Sequence, residues 1–235
     1  MRTLNIYSES FGCQMNAYDT EGIISLLEKR GHSLVGSPET ADCIIVNTCS
    51  VREHAEQRAL GRLRDLSQHH GATIVVCGCM AQRLGTSLFD LVPAVRIVAG
   101  TSSYGLLPDA IMEAVESGAR IALLAPGDAA YPVPGASGQE GRVSRYVAIV
   151  KGCENYCSYC IVPYLRGNVR SRDADSIVEE IALLVDRGAR EVTLLGQNVI
   201  AYRHDSTGFT GLVRMVLDET GVRRLRFLTS HPRDI

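Results

Sequence analysis

The sequence predicts an α/β protein made of two parallel-sheet units. Three observations carry the prediction. Short apolar runs alternate with amphipathic helical patterns, which is the pattern of parallel α/β architecture. A stretch rich in Pro and Gly interrupts the alternation once. The same alternation then restarts and runs through three more strands.

Taken in order, Leu4 to Tyr7 reads as a strand. A helix follows from about Asp19 to Lys29, with Ile23, Ile24, Leu26 and Leu27 on its apolar side and Gly31 as its stop. Cys43 to Asn47 is a second strand, followed by a helix from about Arg52 to Ser67. Thr73 to Cys77 is a third strand and Val95 to Val98 a fourth, and a helix over Leu106 to Glu116 closes the unit. From Pro126 to Gly141, seven of sixteen residues are Pro or Gly, a composition that suits an exposed connection. The expected division is therefore a first domain over 1–120, a linker over 121–144 and a second domain over 145–235. In the second domain Tyr146 to Val150 is a strand, and Asp173 is the N-cap of a helix running to Arg187, stopped by Gly188. Glu191 to Leu195, a helix over Leu212 to Glu219, and a strand over Leu225 to Thr229 complete it. A closed barrel needs about eight strands, so three make either a small open sheet or the beginning of a barrel.

Composition excludes several classes. The 235 residues carry 24 Lys+Arg against 26 Asp+Glu, a net charge of −2, with 46% hydrophobic and 21% charged residues. These values fit a folded domain with a real core and exclude disorder, collagen and coiled coil. No apolar run approaches the roughly 20 residues that span a bilayer. The start lacks the basic and apolar regions of a signal peptide, so the expected location is the cytoplasm.

Eight cysteines stand out: Cys13, Cys43, Cys49, Cys77, Cys79, Cys153, Cys157 and Cys160. A disulfide framework does not suit a chain of this size in a reducing compartment. Cys43 and Cys77 lie in apolar strand runs and read as small buried hydrophobes. Cys13, Cys49 and Cys79 each lie just beyond the carboxyl end of a predicted parallel strand. Such ends share one rim, where open α/β sheets bind ligands, so these three thiols are expected to converge on a metal or cluster. Gly12 and Gly78 beside them permit tight turns. Cys153, Cys157 and Cys160 crowd into one loop after a strand, in the spacing Cys-x-x-x-Cys-x-x-Cys. Three thiolates can hold a [4Fe–4S] cube and leave one iron open, whereas structural zinc wants four ligands and no fourth Cys or His follows at a suitable distance.

The Cys-x-x-x-Cys-x-x-Cys loop resembles that of the radical S-adenosylmethionine enzymes. The resemblance implies that the open iron chelates S-adenosylmethionine, that reduction yields a 5′-deoxyadenosyl radical, and that Tyr159 lies against the adenine. It implies that Gly196 and Gln197, in Leu195-Gly196-Gln197-Asn198, meet the methionine end. Gly12-Cys13-Gln14-Met15-Asn16, Asn47-Thr48-Cys49-Ser50-Val51-Arg52-Glu53 and Gly78-Cys79-Met80-Ala81-Gln82-Arg83 further resemble the three cysteine motifs of the methylthiotransferases. In that family Cys13, Cys49 and Cys79 would hold a second [4Fe–4S] cluster whose open iron carries the sulfur to be transferred. Gln14-Met15, Gly196-Gln197-Asn198-Val199, Tyr202 and Thr229-Ser230-His231-Pro232-Arg233 resemble the branch acting on N6-isopentenyladenosine 3′ of the tRNA anticodon. Ile200 departs from the polar residue expected after Gln-Asn-Val.

The resemblance also implies a partial (β/α) barrel in the second domain, because the family continues through further barrel strands and an RNA-binding β domain. Its implied partners are a tRNA anticodon stem-loop, a flavodoxin- or ferredoxin-like electron donor and a sulfur donor, with the chain acting as a monomer. Carbon 2 of adenine is an unactivated C–H that side-chain acids and bases cannot functionalise, which is why radical chemistry is needed. No general base is therefore expected beyond the cluster ligands. Arg166, Arg170 and Arg172 form either a solvated face or a phosphate contact, and Arg223, Arg224 and Arg226 invite the same choice. His69-His70 reads as a helix-end dipole partner. The alternatives are sister methylthiotransferases, for threonylcarbamoyladenosine or a ribosomal-protein aspartate, and an iron–sulfur fragment without catalysis.

Overall fold

Aliphatic and β-branched runs too short for helices build the strands, and glycines end them. The computed structural model describes residues 2–51, 53–68, 71–124, 133–134 and 141–234. The chain divides into two compact units, Met1–Gly135 and Ala136–Ile235.

The first unit contains, in order, β1 (Asn5–Ser10), α1 (Gln14–Lys29), β2 (Ser33–Leu34), β3 (Cys43–Thr48), α2 (Glu53–Leu66), β4 (Thr73–Gly78), α3 (Cys79–Leu84), α4 (Leu88–Leu91), β5 (Val95–Ala99), α5 (Leu107–Ser117) and β6 (Ile121–Leu123). The six strands form one sheet in the order β2-β1-β3-β4-β5-β6, and every pair is parallel. The central strands β3 and β4 are buried along their whole length, so they read as unbroken apolar runs rather than alternating ones. Alternate residues feed opposite cores. Ile45, Val75 and Ile97 pack with Ile23 and Leu27 of α1 and Ile111 of α5. Ile44, Val46 and Val76 pack with Leu63 of α2 and Met80 of α3 on the other face. Cys43 and Cys77 belong to the first of these cores and have no exposed surface.

Three boundaries differ from the periodicity. β1 runs on to Ser10, because Ser8, Glu9 and Ser10 pair with Ile45, Val46 and Asn47 while the Glu9 carboxylate binds Arg62 at 2.6 Å. α1 begins at Gln14 rather than Asp19, because its first turns bury the polar side chains Asn16 and Asp19 and so hide the apolar stripe. Ile121–Leu123, at the start of the expected linker, is an edge strand paired with β5. Residues 126–132 and 135–140 of the Pro- and Gly-rich stretch lie outside the described residues, as do Arg52 and His69-His70.

The second unit contains β7 (Ser144–Ala148), β8 (Val150–Lys151), α6 (Val162–Arg166), β9 (Arg170–Ser171), α7 (Ala174–Asp186), β10 (Glu191–Leu195), β11 (Arg203–His204), β12 (Thr207–Gly208), α8 (Phe209–Glu219) and β13 (Arg224–Phe227). Its sheet is parallel in the order β13-β10-β7, with a core of Val147, Ile149, Ile177, Ile181, Val192, Leu194, Leu212 and Val216. The Asp173 carboxylate caps α7 by accepting the Ser176 N–H at 2.7 Å. The expected single strand Tyr146 to Val150 instead breaks near Ile149. Val150 and Lys151 leave the sheet and pair antiparallel with Ser171 and Arg170.

The basic residues after the cysteine loop do not share one face. Arg170 is exposed, Arg166 is buried and Arg172 is half-buried. Arg172 pairs with the buried carboxylate of Glu180 at 2.7 Å and donates to the Ala148 carbonyl at 2.7 Å. Arg224 and Arg226 both reach Glu191, at 3.1 and 3.2 Å. Replacing Arg172 with Met removes one charged partner of the buried Glu180 carboxylate and should destabilise the second unit by about 1–3 kcal/mol. A urea midpoint for the second unit equal to that of the wild type would contradict this pairing.

Candidate metal centres

Cys13, Cys49 and Cys79 come from three neighbouring strands. Cys13 is the N-cap of α1, just past β1. Cys49 is the residue after β3, and Cys79 opens α3 directly after β4. The Cys49 thiol hydrogen-bonds Cys13. That bond, burial and the charges of Cys13 and Cys79 hold its pKa well above the ordinary thiol range, against the opposing pull of the Val51 N–H at 3.5 Å. A cavity of about 440 Å³ lies beside Cys13 and Cys49, walled by Gly12, Gln14, Val51, His54 and Arg58 among others. Two glycines make this approach possible. Gly12 has φ +121°, and a Cβ there would stand 2.3 Å from the Cβ of Cys49. Gly78 has φ +93°, and its Cβ would stand 2.3 Å from Asn47 Oδ1.

Beneath the thiols lies a polar network that the periodicity of the sequence does not reveal. Asn16 and Asn47 have no exposed surface. The Asn16 amide donates to the carbonyls of Phe11 and Thr48, both at 2.9 Å. The Asn47 amide donates to the Asn16 carbonyl and the Thr20 hydroxyl, both at 3.0 Å. Thr48 donates its hydroxyl to the Cys77 carbonyl at 2.6 Å. These bonds tie the turn after β1, the end of β3 and the end of β4 to one another. Glu56 of α2 adds an outer brace, accepting from Arg83 of α3 and from Ser50 beside Cys49.

The second set occupies the loop from 152 to 169, closed at its neck by the β8–β9 ribbon. Cys153, Cys157 and Cys160 are all partly exposed. The neck requires Gly152, at φ +81°, where a Cβ would fall 2.0 Å from the Asn168 carbonyl oxygen. Cys153 N–H donates to the Gly167 carbonyl at 3.1 Å, and Cys160 N–H to the Cys157 carbonyl at 2.9 Å. Gln197 accepts the Gly152 N–H at 2.6 Å, so this side chain clamps the loop. Gly196 lies against Val150, with a Cβ position 2.3 Å from Val150 Cγ1. Tyr159 is 88% exposed, and the Cys157 charge beside it raises its phenol above the ordinary range. Two further residues reach this loop. His231 Nε2 lies 3.5 Å from Cys157 Sγ. The Asp234 carboxylate accepts from Asn155 at 3.2 Å and from Asn198, and those bonds hold its pKa below the usual carboxylate range. Among the described residues, no three Cys, His, Asp or Glu side chains close tightly enough to hold a single metal ion.

Residues 5–100 match a family described as the uncharacterized protein family UPF0004, and residues 147–234 match the radical SAM superfamily. A protein of Syntrophotalea carbinolica named tRNA-2-methylthio-N(6)-dimethylallyladenosine synthase is 42% identical over 241 residues, a match covering 98% of this chain and 55% of that protein. The protein of the same name in Geobacter sulfurreducens is 44% identical over 239 residues, covering 98% and 53%. The chain belongs to the radical S-adenosylmethionine methylthiotransferase family. This methylthiotransferase-family chain spans about half the length of the curated relatives it matches. Two solved structures share its fold at 11% identity. One is the radical S-adenosylmethionine methyltransferase TsrM of Kitasatospora setae, with TM-score 0.63 over 91% of this chain and 51% of that one. The other is the cobalamin-dependent S-adenosylmethionine radical enzyme OxsB, with TM-score 0.62 over 99% and 40%.

Two predictions follow from the rim. Replacing Asn16 with Ala orphans the Phe11 and Thr48 carbonyls, each worth about 1–3 kcal/mol, and should lower the urea midpoint of the first unit. An unshifted midpoint would count against the network. Burial pushes the Cys43 and Cys77 thiols far up, so both should resist iodoacetamide in the folded, iron-free chain while Cys13 labels quickly. Peptide mass spectrometry showing equal rates would refute that difference.

Proposed function

We propose that this chain carries the cluster-binding part of an enzyme that converts N6-isopentenyladenosine at position 37 of tRNA to its 2-methylthio derivative. The observation that carries the reading is the pair of three-cysteine sets, one per unit, each beyond the carboxyl ends of parallel strands. In this reading residues 1–120 form the domain of an auxiliary cluster, 121–144 a linker and 145–235 the radical domain. Cys13, Cys49 and Cys79 hold one [4Fe–4S] cluster, and Cys153, Cys157 and Cys160 hold the other, each leaving one iron without a protein ligand.

The residues fit such groups. Cys13 and Cys49 of the first set border a cavity, and the second set offers partly exposed thiols on a loop cinched at its neck. When bound, the clusters and S-adenosylmethionine supply the radical and the methylthio group that an unactivated aromatic carbon requires. The chain's own residues then position and shield. Gln197 and Gly152 hold the mouth of the second loop, and Gly196 lets the strand-end backbone approach it closely. Tyr159 presents an open ring face for the adenine of the cofactor.

The reading also assigns partners: a tRNA anticodon stem-loop, a flavodoxin- or ferredoxin-like electron donor and a sulfur donor, with the chain acting as a monomer in the cytoplasm. Among the described residues no helix is long and apolar enough to cross a membrane. Relatives with this tRNA-directed name support the substrate class.

The test is iron and acid-labile sulfide per chain after anaerobic reconstitution. About eight irons are expected, and Cys13→Ala and Cys157→Ala should each retain about half. Unchanged iron in either variant would sink the assignment of that set. Dithionite-reduced chain should release 5′-deoxyadenosine from S-adenosylmethionine, and Cys157→Ala should not.

A further inference from the structure

His231 stands beside a ligand thiol with its proton position defined. Its Nδ1 accepts the backbone N–H of Arg233 at 3.2 Å, and its Nε2 lies 3.5 Å from Cys157 Sγ. A neutral imidazole carries one N–H, and a ring nitrogen that accepts a hydrogen bond does not carry it. The proton therefore sits on Nε2 and points at the Cys157 sulfur.

The ring is held there from both sides. Two residues earlier, Thr229 adopts φ +66°, a left-handed conformation that a β-branched residue takes only under constraint. The constraint is visible: the Thr229 carbonyl accepts the Val199 N–H at 2.9 Å, and its hydroxyl reaches the Gly196 carbonyl. Three residues later, the Asp234 carboxylate accepts from Asn155 in the cysteine loop and from Asn198 beyond β10. The segment after β13 is thus fastened to both loops that surround Cys157, and the imidazole between these fastenings has little freedom to turn away.

We infer that His231 is a positioning residue that tunes the second cluster, its Nε2–H donating to the Cys157 thiolate and raising the potential at which the cluster takes an electron. The inference rests on the proposed function, in which Cys157 ligates iron. One-electron reduction adds a negative charge that spreads onto the thiolate sulfurs. A donor aimed at one of them stabilises the reduced form more than the oxidised form. Removing the donor therefore lowers the potential.

The experiment is a redox titration of the full chain, reconstituted anaerobically in a Cys13→Ala, Cys49→Ala, Cys79→Ala background so that one cluster is read. Iron is counted first. In His231→Leu the ratio of reduced to oxidised cluster at a fixed poise should fall roughly threefold to tenfold, the worth of one ordinary hydrogen bond. His231→Gln, which keeps an N–H near the same place, should recover most of that loss. An unshifted potential in His231→Leu would overturn the inference. So would a His231→Gln potential as low as that of Leu, or loss of iron from both variants, since either would make His231 a support for the loop alone. A reference chain that binds no iron through Cys153, Cys157 and Cys160 would sink the proposed function instead, and the iron count shows this before any potential is measured.

Discussion

Two buried amides hold the first rim together. Parallel strands bring Cys13, Cys49 and Cys79 to the same end of the sheet, but strands alone leave the turns beyond them with unpaired carbonyls. Asn16 and Asn47 answer that need from inside α1 and β3, and three of these four bonds join segments distant in sequence. A buried amide left half-satisfied would be costly, and here the Asn16 and Asn47 amides each donate two of these four bonds. The Asn47 side-chain oxygen also leaves no room for a side chain at Gly78, whereas Gly12 is kept bare by the approach of Cys49.

The second unit solves the same problem by other means. Its thiols sit on one continuous loop, so the task is to close the neck rather than to gather separate turns. The β8–β9 ribbon, the Gly152 approach and the Gln197 clamp do this with backbone groups. The outcome is a set of three partly exposed thiols, whereas Cys49 and Cys79 of the first set are buried. Only Cys13 of the first set reaches the surface freely, so the two sets differ in how many of their thiols are open to solvent.

The sequence displayed the strands, the cap at Asp173 and the eight cysteines openly, because apolar runs and capping chemistry are local signals. The families matched over 5–100 and 147–234 agree with the radical S-adenosylmethionine resemblance. What stayed hidden was long-range. The start of α1 was masked because Asn16 and Asp19 are polar residues turned inward. The strand Ile121–Leu123 is too short for any periodicity, and its pairing with β5 appears only in three dimensions. Arg172 reads as surface charge until its partner Glu180 is seen on the next helix. The Arg233 N–H that orients His231 leaves no trace in composition or spacing.

Because buried amides gather the first rim, its thiols are drawn toward one another by hydrogen bonds within the chain itself. Such closeness has a chemical consequence. Cys13 is exposed while Cys49 and Cys79 are covered, so an oxidant meeting the rim would convert Cys13 to its sulfenic acid first. The neighbouring Cys49 thiol, within hydrogen-bonding reach, could then condense with it into a disulfide that reductants reverse. The closeness of the two thiols would in this way guard the rim from irreversible damage.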